Sequence, residues 1–156
     1  ENTPRAIPLK ALPSPKEMTS WTKAQEDALV EKLADHELVA KALVTAVETF
    51  DAQFYGVRYQ YRIEAVRPLK AMVRVKKKKR VKTGSVLNPS YRTETYYDRE
   101  PKEIGQCEFV LYTNKETAQK LDRGEVVTLR GRIHSLSANA YGDRIGVDIT
   151  MRQTAD

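Results

Sequence analysis

The sequence is poor in the residues that build disulfides, metal sites and membrane spans. Its 156 residues include one cysteine and two histidines. A single cysteine excludes an internal disulfide, and the sequence contains neither a Cys-x-x-Cys nor a His-Glu-x-x-His pattern. No apolar run approaches the roughly 18 to 20 residues that a membrane span needs. The sequence therefore gives no support for a disulfide scaffold, a metal site, a cofactor or a transmembrane segment.

Groups suited to catalysis are equally sparse. Cys107 alternates with Phe109 and Leu111 and is expected to behave as a small core hydrophobe. His36 falls on a predicted helix stripe and is expected to be packed or capped there. His134 lies beside Arg132 on the polar side of a predicted strand and is expected to be solvated. Because catalysis needs several groups held together, the chain is predicted not to be an enzyme.

Acidic residues are nearly absent from the centre of the chain. Between Phe54 and Lys102 there are 14 basic and four acidic residues, a formal charge of +10. The flanks are acidic, with six basic and nine acidic residues before this segment and seven and eight after it, which gives the net +6. A concentrated positive field attracts polyanions. The charge distribution thus indicates a class of partner.

The N-terminal third is predicted to be a tether followed by helix. Four prolines within residues 1–20 favour an extended tether. Residues 21–55 are predicted to be helical, because Thr22 and Gln25 form a capping-box pair and apolar residues then recur at spacings of three and four as far as Phe54. Asp35 and His36 leave open whether this segment is one helix or two. Its apolar stripe, if not used against the rest of the chain, is a candidate surface for a protein partner (Leu33, Leu43, Val47, Phe50).

Residues 56–156 are predicted to form a domain of strands. Alternation with a period of two begins at Val57, and it resumes on both sides of a turn-rich segment around Gly84 to Ser90, which predicts a basic hairpin at 71–99. Tyr96 and Tyr97 are adjacent in that hairpin and must point to opposite faces, so one of them is expected to be exposed. A capping-box pair, Thr113 and Glu116, predicts a short helix over 117–123, closed by Gly124 and followed by two strands.

This element order predicts an α+β, mainly β fold: an OB-fold-like five- to six-stranded Greek-key barrel with a short inter-strand helix and an N-terminal amphipathic helix. Residues 57–152 resemble bacterial OB-fold proteins of the tRNA-anticodon-binding-like type. The resemblance rests on Cys107-Glu108-Phe109, on Leu121-Asp122-Arg123-Gly124-Glu125 and on the segment from Val126 to Ile133, with the pattern Leu-x-x-Gly-x-x-Val-Thr-x-x-Gly. It implies that Gly131 lets a bent strand turn a barrel corner where a side chain would clash.

An OB barrel binds single strands by combining cations that follow the phosphates with aromatic rings on which bases stack. Basic side chains and tyrosine rings both occur on or beside the first strand of the barrel domain and the hairpin. The predicted nucleic-acid-binding residues are Arg58, Arg62, Arg74, Lys76, Lys77, Lys78, Lys79, Arg80, Tyr91 and Tyr97.

Other readings of the same residues remain open. Tyrosines are good strand formers and edge lysines prevent aggregation, so the pattern could be purely structural. The run Lys77 to Arg80 has the composition of a nuclear localisation signal, and the basic field also suits anionic envelope polymers or lipid headgroups.

Two hypotheses about function follow. The first is a non-catalytic binding module for single-stranded nucleic acid or another polyanion. The second is a structural or protein-interaction scaffold of the cell envelope whose barrel binds no nucleic acid. The start at Glu1 fits an exported bacterial protein with its signal peptide removed, and otherwise a cytoplasmic location is expected.

Overall fold

The computed structural model describes residues 4–154, so the first three residues of the predicted tether lie outside the described part. The secondary structure elements are β1 (Arg5–Pro8), a 3₁₀ helix (Leu9–Ala11), α1 (Pro15–Met18), α2 (Lys23–Lys32), β2 (His36–Phe54), β3 (Val57–Lys82), β4 (Tyr91–Thr113), α3 (Lys115–Ala118), β5 (Val126–Tyr141) and β6 (Arg144–Arg152). The chain divides into two compact units, of which the first comprises residues up to Leu69 and from Gly105 onward, and the second comprises Lys70–Ile104.

The first unit contains a closed five-stranded barrel. Its strands follow the order β2-β3-β4-β6-β5, and the pairing of β5 with β2 closes it. β4 and β6 run parallel, with Gly105 opposite Ile145, whereas β5 pairs antiparallel with both β6 and β2. β1 is an extra strand that pairs parallel with the start of β2. This mainly β architecture confirms the predicted fold class and is compatible with an OB-like barrel.

Alternating residues of the barrel strands build its core. The most deeply buried side chains come from all five barrel strands: Leu38, Val44, Ile63, Phe109, Leu111, Leu129, Ile149 and Met151. Full burial of a side chain of this size is worth roughly 1.5 to 3 kcal/mol relative to exposure. The core is therefore a continuous apolar interior, without need of a metal or a disulfide to hold the strands.

The helical prediction for residues 36–54 is wrong, because this segment is strand β2. Leu38, Ala40, Ala42 and Val44 alternate into the core, but irregularities in the pairing with β3, between Val44 and Ala46 and between Thr49 and Ala52, break the two-residue period. A bulge inserts one extra residue, so the apolar spacing becomes three or four and imitates a helix. The barrel therefore begins at His36.

The N-terminal helix itself is confirmed over Lys23–Lys32. Thr22 caps it as predicted: its hydroxyl accepts from the Gln25 amide at 3.3 Å, and the Thr22 amide donates to Gln25 Oε1 at 2.8 Å. The apolar stripe predicted for a protein partner is wrong as a helical surface, since Leu43, Val47 and Phe50 lie in β2 and Leu33 directly follows the helix.

The proline-rich start is not a simple extended tether. Pro15 begins the short helix α1, a position where its missing N–H removes no helical hydrogen bond. Met18 at the end of this helix is only 2% exposed, and β1 is hydrogen-bonded to β2. Residues 5–18 are therefore held by pairing and by a buried side chain.

The inter-strand helix is confirmed, but it begins and ends earlier than predicted, and Gly124 does not close it. α3 spans Lys115–Ala118, and its cap is Asn114, whose side chain accepts from the Thr117 amide at 2.9 Å. Thr113, the predicted cap, is instead fully buried in β4 and donates its hydroxyl to Gln153. Among residues 4–154 the structure contains no helix that is both long and apolar enough to cross a membrane.

The clash predicted at Gly131 is confirmed. A Cβ placed there would lie 2.7 Å from the Arg152 carbonyl oxygen and 3.1 Å from a methyl group of Leu111. The strand β5 therefore passes too close to β6 at this residue for any other side chain.

Two carboxylates face each other across the parallel pair β4–β6. Glu108 lies opposite Asp148, and the hydrogen bond with Asp148, partial burial and the charge of Asp148 together raise the pKa of Glu108 above its usual 4.5. The folded state thus binds a proton more tightly than the unfolded state, so this group lowers stability as the pH rises through its ordinary and then its raised pKa.

We expect Glu108→Gln to raise Tm at pH 7 by roughly 1 to 3 °C, because like charges directly opposite on a sheet cost about 0.2 to 1 kcal/mol. The gain should vanish below the ordinary pKa, where Glu108 is protonated in both states. Thermal unfolding followed by circular dichroism across this pH range measures the effect. Glu31→Gln, an exposed carboxylate in α2, is the control, and an equal gain for both variants at pH 7 contradicts the prediction.

Candidate nucleic-acid interface

The second unit, residues 70–104, is formed by the end of β3 and the beginning of β4. We call this unit the ribbon and residues 83–90 the tip loop. The Thr83 amide donates to the Ser90 carbonyl at 2.7 Å, and the hydroxyls of these two residues are hydrogen-bonded at 2.9 Å. The strands predicted for the basic hairpin at 71–99 are thus present, and the tip loop is closed by hydrogen bonds.

Side-chain contacts between the two strands divide the ribbon into two faces. The Arg74 guanidinium lies 3.8 Å from the ring centroid of Tyr97, and that of Arg80 lies 4.1 Å from the ring centroid of Tyr91. Each of these contacts joins an even-numbered residue of β3 to an odd-numbered residue of β4. The contacts of Lys77 join it to even-numbered residues of β4 instead. Because side chains alternate between the faces of a strand, the two sets lie on opposite faces.

One face is basic and carries no carboxylate between residues 74 and 82 of β3 or between 91 and 99 of β4. We call it the cationic face. It consists of Arg74, Lys76, Lys78, Arg80, Lys82, Tyr91, Thr93, Thr95, Tyr97 and Arg99, all of them exposed. Its six basic side chains contact no acidic group in the described part of the chain, and two of them stack on tyrosines.

The opposite face is electrically balanced, and we call it the paired face. Between residues 74 and 82 of β3 and between 91 and 100 of β4, its charged side chains are Lys77, Lys79, Arg92, Glu94, Asp98 and Glu100. Lys77 forms ion pairs with Glu100 and, at 3.7 Å, with Asp98, while Arg92 pairs with Glu94 at 2.6 Å. The hydrogen bond with Glu100 raises the pKa of Lys77. The carboxylates between residues 91 and 100 thus all lie on the side away from the cationic face.

The structure brings six of the ten predicted site residues onto the cationic face: Arg74, Lys76, Lys78, Arg80, Tyr91 and Tyr97. It places Lys77 and Lys79 on the paired face. This division follows from the period of two, since a run of consecutive basic residues in a strand must alternate between the faces.

Arg58 and Arg62, the remaining predicted residues, lie in the barrel unit beside carboxylates. Arg58 makes two hydrogen bonds to Asp51, at 2.8 and 3.0 Å, and this pairing lowers the pKa of Asp51. Arg62 contacts Glu64 at 2.8 Å and Glu48 at 3.6 Å. Their positive charge is therefore locally compensated.

Sequence reasoning missed two basic residues of the cationic face, Lys82 and Arg99, and its two threonines, Thr93 and Thr95. The alternation of side chains along each strand could have identified them, because Lys82 continues the even-numbered series of β3 and Arg99 continues the odd-numbered series that includes Tyr97.

The predicted separation of Tyr96 and Tyr97 onto opposite faces is confirmed. Both rings are exposed, Tyr97 by 54% and Tyr96 by 42%.

The barrel carries a further arginine–tyrosine contact that the sequence did not suggest. Tyr55 occupies the turn between β2 and β3 with a positive φ of 51°, which is uncommon for a residue other than glycine. Its ring is 80% exposed, and the Arg152 guanidinium lies 4.7 Å from the ring centroid.

His134 was expected to be solvated, but its ring packs against the ring of Phe54 with a centroid distance of 4.5 Å. Burial and the charge of Arg152 lower the pKa of His134.

The described residues offer neither a reactive cysteine nor a cluster of metal ligands. Cys107 is fully buried, and burial raises the pKa of its thiol to about 12, so the thiol stays protonated at neutral pH. Between residues 4 and 154, no group of three or more His, Cys, Asp and Glu residues is arranged to hold a metal ion. The cationic face is therefore the candidate site that the structure defines most clearly.

Comparisons with protein-family models, curated proteins and solved structures found no match to this chain.

Proposed function

We propose that this protein is a non-catalytic binding module for single-stranded nucleic acid, and that the cationic face of the ribbon is its binding surface. The observation that carries the proposal is the sorting of charge, because every carboxylate between residues 91 and 100 lies on the paired face. A polyanion that approaches the cationic face thus meets basic side chains without competing carboxylates. Anion binding of this kind is favoured by release of counterions from the nucleic acid.

The tyrosines favour a single strand over other polyanions. Unpaired bases expose both of their faces and can stack on an aromatic ring, with a contribution of about 1 to 3 kcal/mol per base. Tyr91 and Tyr97 are each backed by an arginine at about 4 Å, and a planar guanidinium holds the ring while leaving its other side for a base. A duplex keeps its bases stacked inside and cannot use these rings.

The spacing of the two arginine–tyrosine pairs suits a strand that follows the ribbon. Tyr91 and Tyr97 are six residues apart in β4, which corresponds to roughly 20 Å at 3.3 to 3.4 Å per residue. Lys76 and Lys78 lie between Arg74 and Arg80 along β3. We propose that bases stack at the two tyrosines and that these lysines contact the phosphates between them.

The strand order, compatible with an OB-like barrel, supports the same proposal, since OB barrels commonly bind oligonucleotides. We propose that the chain is related to the tRNA-anticodon-binding-like group of OB-fold proteins. The support for this relation is the motif around Gly131 together with the position of α3 between β4 and β5.

Fluorescence anisotropy with labelled single strands tests the proposed function. We expect binding at low salt that weakens steeply as salt rises, with a slope of about −0.7 in log K against log salt for each phosphate contacted. The same titration with Tyr97→Leu should show affinity lower by roughly 5- to 150-fold, which corresponds to the loss of one stacking contact, and an unchanged salt slope.

Tyr96→Leu is the matched control, because the adjacent ring lies on the paired face. Its affinity should equal that of the unaltered protein. Absence of binding at low salt overturns the proposed function and favours the scaffold hypothesis. Equal effects of the two tyrosine substitutions remove Tyr97 from the site.

A further inference from the structure

The tip loop exposes two adjacent aliphatic side chains. Val86 is 88% exposed and Leu87 is 97% exposed. They lie between the basic ends of β3 and β4, and the loop itself carries no charged residue. Transfer of these side chains from water into a less polar environment is favourable.

Hydrogen bonds within the tip loop fix its shape. Besides the bonds between Thr83 and Ser90, the Asn88 amide donates to the Ser85 carbonyl at 3.2 Å and contacts the Ser85 hydroxyl at 3.1 Å. Gly84 has a φ of +106°, and a Cβ there would lie 2.6 Å from the Asn88 carbonyl oxygen. The loop is thus a compact turn that requires this glycine.

Basic residues flank the tip loop on both faces of the ribbon. Arg80 and Lys82 precede it on the cationic face, Lys79 precedes it on the paired face, and Arg92 follows it there. The nearest carboxylate, Glu94, is paired with Arg92. A strand lying along the ribbon contacts one face. A planar anionic surface that the tip enters end-on meets the basic residues of both faces at once.

From this arrangement we propose that the tip loop inserts Val86 and Leu87 into the interfacial region of a bilayer that contains anionic lipids. The flanking lysines and arginines then lie at the level of the lipid headgroups, where each contributes attraction that adds to burial of the aliphatic side chains. An aliphatic pair favours a bilayer over a single strand, because it offers bases no aromatic face on which to stack. The inference is independent of the proposed function, which uses the cationic face.

Vesicle partitioning tests this inference. The protein is sedimented with vesicles of phosphatidylcholine alone and with vesicles of phosphatidylcholine mixed with phosphatidylglycerol. We expect partitioning onto the mixed vesicles only, and a decrease of at least about tenfold when Val86→Ser and Leu87→Ser are combined. Val126→Ser is the matched control, since Val126 is also an exposed aliphatic residue, 69% exposed, but lies in β5.

Two further measurements separate the outcomes. The far-UV circular dichroism spectrum of the tip variant should match that of the unaltered protein, which shows that it is folded, and its affinity for single strands should be unchanged. Part of the partitioning of the unaltered protein should persist in high salt, because burial of apolar side chains is not screened. The inference is overturned if the tip variant partitions as the unaltered protein does, if neither vesicle is bound at low salt, or if the tip variant loses binding to nucleic acid instead, as an apolar wedge between bases would.

Discussion

Replacing Lys76, Lys78 and Lys82 by glutamine should weaken binding of single strands by roughly 100-fold near 0.1 M salt. These lysines share the cationic face and contact no carboxylate in the described part of the chain. If each contacts one phosphate, its loss removes about 0.7 from the slope of log K against log salt, or about 2 for the three together. Glutamine keeps most of the aliphatic stem, so the change reports charge. Anisotropy titrations at several salt concentrations measure both the affinity and the slope.

The chain offers a control matched in number, kind and position. Lys76→Gln with Lys78→Gln removes two charges from the cationic face, and Lys77→Gln with Lys79→Gln removes two charges from the neighbouring positions on the paired face. The first pair should lower the slope by about 1.4 and the second should leave it nearly unchanged. Far-UV circular dichroism checks that loss of the ion pairs of Lys77 leaves the strands intact. Equal effects of the two pairs would show that binding responds to net charge alone, which contradicts a binding surface on one face.

The ribbon is the part of the molecule that the sequence predicts best, because its structure depends on neighbours along the chain. A period of two, a turn-rich segment and an excess of lysine were enough to predict its strands and most of its basic residues. What the prediction lacked was the division of Lys76 to Arg80 between two faces. That division is a direct consequence of strand geometry, and only the contacts of Arg74, Lys77 and Arg80 identify which face holds the carboxylates.

β2 is the part that the sequence predicts worst, and the reason is tertiary. Its first half pairs with β5, about 90 residues away in the chain, and its second half pairs with β3. The irregularities in the pairing of β2 disturb the two-residue alternation of its apolar side chains. In addition, the alanines of this segment have a high intrinsic preference for helix. Pairing with two strands and burial in the barrel outweigh that local preference, which is weak compared with tertiary packing.

The closest approach of another backbone to a glycine of the barrel likewise left no signal in the sequence. Gly105 begins the barrel part of β4, and it lies opposite Ile145 in β6, 40 residues later. Nothing near Gly105 in the chain distinguishes it from a glycine in a turn, and its φ does not require glycine. The need for glycine comes from the partner strand.

Among glycine-to-alanine substitutions in this barrel, Gly105→Ala should therefore cause the largest loss of stability. A Cβ at this position would lie 1.7 Å from the Ile145 carbonyl oxygen and 2.7 Å from its carbonyl carbon. These atoms are backbone, so relief requires the two strands to separate and their hydrogen bonds to weaken. We expect a loss of about 3 kcal/mol or more in the free energy of unfolding, or a decrease in Tm of roughly 6 to 12 °C, measured by thermal and urea unfolding.

Gly146→Ala provides the control within the same pair of strands, since Gly146 lies opposite Gln106. A Cβ there would meet only the ring of Tyr141, at 2.9 Å, and that ring is largely exposed and can rotate away. Its cost should stay below about 1 kcal/mol. If Gly105→Ala instead costs as little as is expected for Gly146→Ala, the two strands adjust at Gly105 with little loss, and the close pairing at this residue is not what stabilises the barrel. A large effect at Gly105 alone shows that this pairing is essential to the fold, because the clash can be relieved only by moving one of the two strands.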